Sequence, residues 1–153
     1  MLFRLENLSH CYSDGTLALN EVSLSFAAGE RTALLGTNGS GKTTLLHHLN
    51  GILKPTSGKV YFEDKPLKYD PKSLLDLRRR VGFIFQDPND QLFAPTVKQD
   101  VAFGPLNLGQ PAEQVKKVVD EALRTVGMTE YAEKPPHFLS LGQKKRVALA
   151  GVL

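Results

Sequence analysis

Apolar and polar residues alternate from Phe3 to Leu8 and again from Val22 to Phe26, the period of strands with one buried face. Ser13-Asp14-Gly15-Thr16 lies between them and reads as a turn. Arg31-Thr32-Ala33-Leu34-Leu35 is a short, mostly apolar run that reads as a buried strand, and Thr44 to Asn50 reads as a helix closing at Gly51. Pro55-Thr56-Ser57-Gly58 turns the chain into a further strand, Lys59 to Glu63, and Asp70-Pro71 opens a short helix carrying Leu74, Leu75 and Leu77. Val81-Gly82-Phe83-Ile84-Phe85 is expected as a second buried strand. Beyond Gln86 the pattern changes, with loop-forming stretches at Asp87–Asp90 and Ala94–Thr96 and glycine-proline punctuation at Gly104-Pro105 and Gly109–Pro111. Val115, Val118, Val119, Ala122, Leu123 and Val126 then fall on one face of a helix that opens at Pro111 and stops at Gly127. The last residues, Val147 to Leu153, are apolar on every side, as in a helix entering a core. We therefore expect a truncated chain with Val147, Leu149, Val152 and Leu153 forming an exposed apolar patch.

One stretch carries chemistry. Gly36-Thr37-Asn38-Gly39-Ser40-Gly41-Lys42-Thr43 sits between the expected strand at 31–35 and the expected helix. That context turns a G-x-x-x-x-G-K-[ST] match into a phosphate-binding loop. Glycines let successive backbone N–H groups point inward, and a helix N-terminus adds unpaired N–H groups and about half a positive charge. Lys42 is placed to reach the β- and γ-phosphates and the Thr43 hydroxyl to hold Mg²⁺, with Thr44 beside them. The alternative is a glycine turn that merely caps a helix, with Lys42 in water.

Composition narrows the setting. The 153 residues include 41% hydrophobic and 23% charged residues, ordinary for a globular domain, and no apolar run is long enough to span a bilayer. The N-terminal residues lack the apolar core of a signal peptide. A single cysteine, Cys11, suits a reducing cytoplasm and is expected to be a small buried or half-buried side chain. The net charge of +3 is mild, and the basic clusters Arg78-Arg79-Arg80 and Lys144-Lys145-Arg146 lack interleaved aromatics, so both read as solvated faces. His47 and His48 have no cysteine or carboxylate company at ligand spacing, which disfavours a metal reading.

Leu139-Ser140-Leu141-Gly142-Gln143 precedes the last helix. It reads either as a capping box, with Ser140 and Gln143 bonding reciprocally, or as a second anion site at a helix N-terminus. The ordered set of phosphate loop, Gln86 after an apolar run, helical insert, and Leu-Ser-x-Gly-Gln entering a basic helix resembles the ATP-binding subunits of ABC transporters over nearly the whole chain. Phe85–Phe93, Asp100–Pro105 and Lys144–Ala148 are most similar to the energy-coupling-factor branch, and within it to the ATPases of cobalt and nickel uptake. Leu141 stands where the family has glycine. The resemblance implies ATP and Mg²⁺ as cofactors, with Thr43 and Gln86 on the metal and Lys42 and Gln86 as catalytic residues. It implies a Tyr12 ring stacked on adenine, where the residues alone would equally allow simple packing. It further implies that Ser140, Gly142 and Gln143 close over ATP held by a second ATPase subunit, in a homo- or heterodimer packed head to tail. Transmembrane transporter subunits complete the expected partners, with no nucleic acid, and the location is peripheral on the cytoplasmic face of the membrane. Family members carry an apolar strand ending in Asp-Glu after the signature; neither Val60–Asp64 nor Phe83–Asp87 has that position, so the pair is expected beyond Leu153.

The fold class expected is α/β: a P-loop NTPase core with an antiparallel β piece and an inserted helical subdomain, C-terminally incomplete. Residues 1–86 and 140–153 would form the core of this one nucleotide-binding domain and 87–139 the helical subdomain. The function expected is ATP binding and hydrolysis that energises import of a cobalt or nickel ion, the 153-residue chain binding ATP but turning it over poorly. Two rivals stand beside it: a non-catalytic nucleotide-binding module, and a soluble ABC-type ATPase acting on nucleic acid.

Overall fold

The computed structural model describes residues 1–153, which pack as two units, Met1–Val81 and Gly82–Leu153. The first is built on an antiparallel sheet of order β2-β1-β3-β4, from β1 (Phe3–Cys11), β2 (Leu17–Phe26), β3 (Ser57–Phe62) and the two-residue β4 (Lys65–Pro66). Phe3 pairs with Phe26 on one side and Phe62 on the other, and Leu5 with Leu24 and Val60. The buried set on β1 changes parity, from Phe3 and Leu5 to Leu8 and His10. An irregularity between Leu5 and Leu8, with Asn7 at φ 46°, supplies the extra residue that this switch requires. Gly58 pairs with that bulge at φ 81°, where a Cβ would run into the Asn7 backbone, so only glycine fits there.

Helix α1 (Lys42–Leu49) lays Leu45 into the cluster formed by Phe3, Leu5, Leu8, Leu19, Val60 and Leu77. Helix α2 (Pro71–Arg78) starts as the sequence suggests: the Asp70 side chain accepts from Ser73 N, and proline occupies the first turn. The arginine cluster that follows is exposed, as its charge suggests, and each member also holds a partner. Arg78 donates to the Asn50 and Gly51 carbonyls at the end of α1. Arg80 pairs with Glu63 and lies over the Phe62 ring, and Arg79 pairs with Asp76. The Arg80 guanidinium holds the Glu63 carboxyl below its ordinary range.

The second unit is helical: α3 (Val97–Asn107), α4 (Ala112–Thr125) and α5 (Leu141–Ala150), with short 3₁₀ turns at Pro88–Asp90, Thr129–Tyr131 and Pro136–Phe138. Val97, Val101, Val115, Val119, Leu123, Met128 and Val147 fill its core. The amphipathic face read for α4 is the buried one, and Gly127 follows it at φ 65°. Residues 141–150 thus belong by packing to this helical core. Helix α3 runs through Pro105; so near its C-terminus a proline removes one backbone bond without breaking the helix.

Three expectations are corrected. Residues 31–35 and 81–85 form no strand, because no segment of this chain pairs with them; Leu35 is 88% exposed, and Ile84 and Phe85 are exposed as well. Cys11 lies on the outer parity of β1 and is exposed. In the last helix Val147, Ala148 and Ala150 are buried, so only Leu149 and Leu153 are exposed and Val152 is half-buried, its side chain near Gly82.

Candidate functional site

Gly36 to Ser40 form an exposed loop that enters α1 through Gly41. Gly41 is left-handed at φ 84°, and a Cβ there would meet the Ala18 carbonyl at 2.5 Å. Glycine is therefore required on two counts, conformation and the close approach of β2. No side chain caps α1, and its first internal bond runs from Leu45 N to Gly41 O at 2.8 Å. The N–H groups of Lys42, Thr43 and Thr44 head the helix without such a partner, which suits an anion. Lys42 curls back over the loop and donates from Nζ to Gly36 O at 2.9 Å, Thr37 O at 2.6 Å and Ser40 Oγ at 3.3 Å. The ammonium thus sits inside the curve of the loop, its positive charge held where phosphate oxygens would gather. Thr43 is exposed beside it. Loop, lysine and open helix end together fit a polyphosphate.

Tyr12 is brought to the same end of α1. Its hydroxyl bonds Thr44 Oγ1 at 2.9 Å, and its ring is 40% exposed. Behind it stands a pair of histidines, His10 and His48, of which the sequence reading considered only His48, with His47, and only for metal. His10, inward on β1, meets the Tyr12 ring edge-on at 4.7 Å and the His48 ring at 4.8 Å. His48 is fully buried and bonds the Thr44 carbonyl through Nδ1 at 2.7 Å. Burial, and secondly the neighbouring His10, hold the His48 ring below its ordinary pKa, against the opposing pull of the Thr44 and Lys54 backbone groups. The signal in the sequence was the change of parity along β1, which turns His10 inward.

In the second unit, Gln86, the Asp87–Asp90 turn, Leu141 and Lys145 line a cavity of about 410 Å³. The sequence kept both readings of the signature open; the capping box is formed, with Ser140 N donating to Gln143 Oε1 at 2.9 Å and Gln143 N to Ser140 Oγ at 3.3 Å. Leu141 occupies the first helical position without a positive φ, so the absent glycine strains nothing. Gly142 follows, exposed, and a Cβ there would touch nothing within 4 Å. Neither backbone geometry nor internal packing calls for a glycine at that position. Asp87 caps the turn after Gln86, Asn89 bonds Asp87, and Lys144 of α5 donates to Asn89 Oδ1 at 2.8 Å, which ties that turn to the signature helix.

A second cavity, of about 300 Å³, is lined by Phe85, Gln91, Phe93, Asp100, Phe103 and Val147. Asp100 Oδ1 accepts from Phe93 N and Ala94 N, while Oδ2 is buried without a partner. Burial raises this carboxyl above its ordinary range.

The pattern of the ABC transporter family matches residues 19–153. The chain is 59% identical over 142 residues to the energy-coupling factor transporter ATP-binding protein EcfA of Methanocaldococcus jannaschii, covering 93% of this chain and 51% of that protein. Among solved structures it is similar to cbiO1 from Clostridium perfringens, described as part of the ABC transporter complex cbiONQ. That match has a TM-score of 0.88 and 49% identity, covering 99% of this chain and 61% of the other. The ATP-binding cassette MJ0796, solved as a dimer bound to ADP and Pi, matches at a TM-score of 0.87 and 30% identity, over 99% of this chain and 68% of that one. The chain spans about half the length of the curated relatives it matches.

Proposed function

Because the chain belongs to the ABC transporter family, we propose that it is the ATP-binding part of an energy-coupling-factor transporter, a peripheral subunit on the cytoplasmic face of a membrane. The observation that carries this reading is the uncapped start of α1, with Lys42 folded into an exposed glycine loop. The protein holds ATP by exchanging the loop carbonyls around Lys42 Nζ for phosphate oxygens and by offering the first N–H groups of α1. Thr43 and Gln86 would hold Mg²⁺, which would supply charge neutralisation at the phosphates in phosphoryl transfer. Gln86 also orients the attacking water, and the Tyr12 ring covers the adenine. The similarity to EcfA and cbiO1 supports assignment to this branch. The cargo, read from the sequence motifs as a cobalt or nickel ion, would be selected by the membrane subunits.

Ser140 and Gly142 act on the nucleotide of a second ATPase subunit. The dimeric state of the related MJ0796 cassette supports this arrangement, as does a glycine exposed at the head of α5 that the chain itself does not need. The membrane partner docks at the cavity beside Phe93 and Phe103. These exposed rings offer apolar contact, and the unpartnered Asp100 Oδ2 takes a basic side chain. No helix of this chain is long and apolar enough to cross a membrane, so transport through one needs such a partner.

A substitution at Gly142 tests the arrangement in trans. Gly142→Asp introduces no clash, so the melting temperature should hold, the change in stability staying within about 0.5 kcal/mol, as for other surface substitutions. Association of the chain driven by Mg-ATP, followed by analytical ultracentrifugation, should disappear, because a carboxylate would then face phosphate. Dimers of Gly142→Asp that form with ATP as readily as the wild type would remove the signature from the site.

A further inference from the structure

We propose that His10 and His48 are positioning residues of the nucleotide site: packed edge-on between Tyr12 and the first turn of α1, they hold the adenine-side ring in register with the phosphate loop only while His48 is uncharged. The proposal rests on the reading of Tyr12 as the base contact.

The four side chains form a closed circuit. Tyr12 Oη bonds Thr44 Oγ1, Thr44 O bonds His48 Nδ1, the His48 ring meets the His10 ring, and that ring meets Tyr12. Thr44 stands in the first turn of α1, directly after the phosphate-loop residues, so the circuit joins the two ends of a bound nucleotide. A carbonyl only accepts, so Nδ1 of His48 carries the proton and Nε2 is a bare lone pair. Nε2 is buried without a hydrogen-bond partner, and so is Nδ1 of His10. Simple core histidines would be less costly as leucine or phenylalanine, since a buried nitrogen without a hydrogen bond destabilises the fold. Two such atoms against one helix turn mark a place where polarity is retained for something other than packing.

The proton's destination follows. Taken from solvent, it adds to His48 Nε2 and places an imidazolium in a fully buried site. The groups acting on that ring are His10 from β1, His47 beside it on α1, and the backbone of Thr44 and Lys54; the Tyr12 phenol closes the far side of His10. No carboxylate is among them; the Thr44 and Lys54 backbone groups offset the charge only in part, burial outweighs them, and the His10 ring edge is pushed away together with Tyr12. His48 titrates below its ordinary range because it is buried, so the unfolded chain takes up the proton first. Stability is complete above the ordinary histidine value of about 6.5 and is lost as pH falls through the lower folded value.

The test compares ATP with inorganic tripolyphosphate, which uses the loop and α1 but has no base. Affinity for both is measured by calorimetry from about pH 7.5 to 4.5, from above the ordinary histidine value to well below it. The ratio of the two affinities is read in the wild type; the same ratio measured in His48→Asn carries the ligands' own phosphate titration and is subtracted. In the wild-type chain the ratio should fall by up to about tenfold per pH unit, the limit for one linked proton. His48→Asn, which can still donate to Thr44 O but does not titrate, should show only the ligands' own pH dependence, whatever its ratio at neutral pH. A flat wild-type ratio, or an unchanged slope in His48→Asn, overturns the proposal; the wild-type profile decides even if a variant fails to fold. Tyr12→Ala separates the two readings. Its ratio should be low and flat, and a ratio equal to the wild type overturns the base contact at Tyr12 itself.

Discussion

Replacing Lys42 with alanine is expected to abolish the stabilisation that Mg-ATP gives this chain. In the wild type, nucleotide at a hundred times Kd adds about 2.7 kcal/mol when only the folded state binds it. For a chain of this size that is a rise in Tm of about 5–10 °C. Lys42 Nζ holds three acceptors of the loop around one ammonium. Removing it leaves those carbonyls in an exposed loop where water replaces the lysine, so the ligand-free Tm should barely move. The bound phosphates, however, lose the only cation seated within the loop. A melting shift in Lys42→Ala equal to that of the wild type would take Lys42 out of the nucleotide site.

Slow turnover is the second large effect expected. Hydrolysis needs a carboxylate to activate water, and a positioned general base contributes about 10²–10⁴-fold. After Gln143 these residues run Lys144 to Leu153 without a single Asp or Glu. Gln86, proposed to orient the water, carries a carboxamide that cannot take its proton. The 153 residues should therefore bind ATP and release phosphate at least about a hundredfold more slowly than full-length EcfA, by the same factor. Phosphate release measured under saturating Mg-ATP checks this. A rate equal to that of the full-length relative, lost in Lys42→Ala, would mean that a carboxylate earlier in the chain serves as the base.

The elements legible in the sequence are those whose cause is local. Asp70-Pro71 starts a helix by capping and a fixed φ, and α4 shows its buried face in its own periodicity. Ser140 and Gln143 satisfy each other's backbone across three residues. The failures are non-local. Residues 31–35 and 81–85 carry the composition of buried parallel strands, but a strand exists only through its neighbours, and here none pairs with them. Helix α3 was hidden by Pro105 and by inward positions that include Asp100, whose carboxylate serves backbone N–H groups at 93 and 94. The arginine run is the exposed surface its charge suggests, but its partners, Glu63 and the carbonyls of Asn50 and Gly51, lie 17 to 28 residues away in sequence, where no local pattern announces them. At the candidate site the need for glycine is legible at Gly41, whose left-handed φ and close approach to the Ala18 carbonyl admit no side chain. The His10–His48 pair was not. It depends on the bulge at Asn7, which changes which side chains of β1 face inward.

Nucleotide binding at the loop of residues 36–44 is tested most directly by a titration of the ¹⁵N-labelled chain with Mg-ATP, following backbone amide shifts by NMR. The expected result is that the amides of Gly39, Gly41, Lys42, Thr43 and Thr44 move together and saturate, with Tyr12 ring resonances shifting at the same ligand concentrations. Saturating shifts elsewhere in the chain with those amides unmoved, or no shift at any amide, would contradict the assignment.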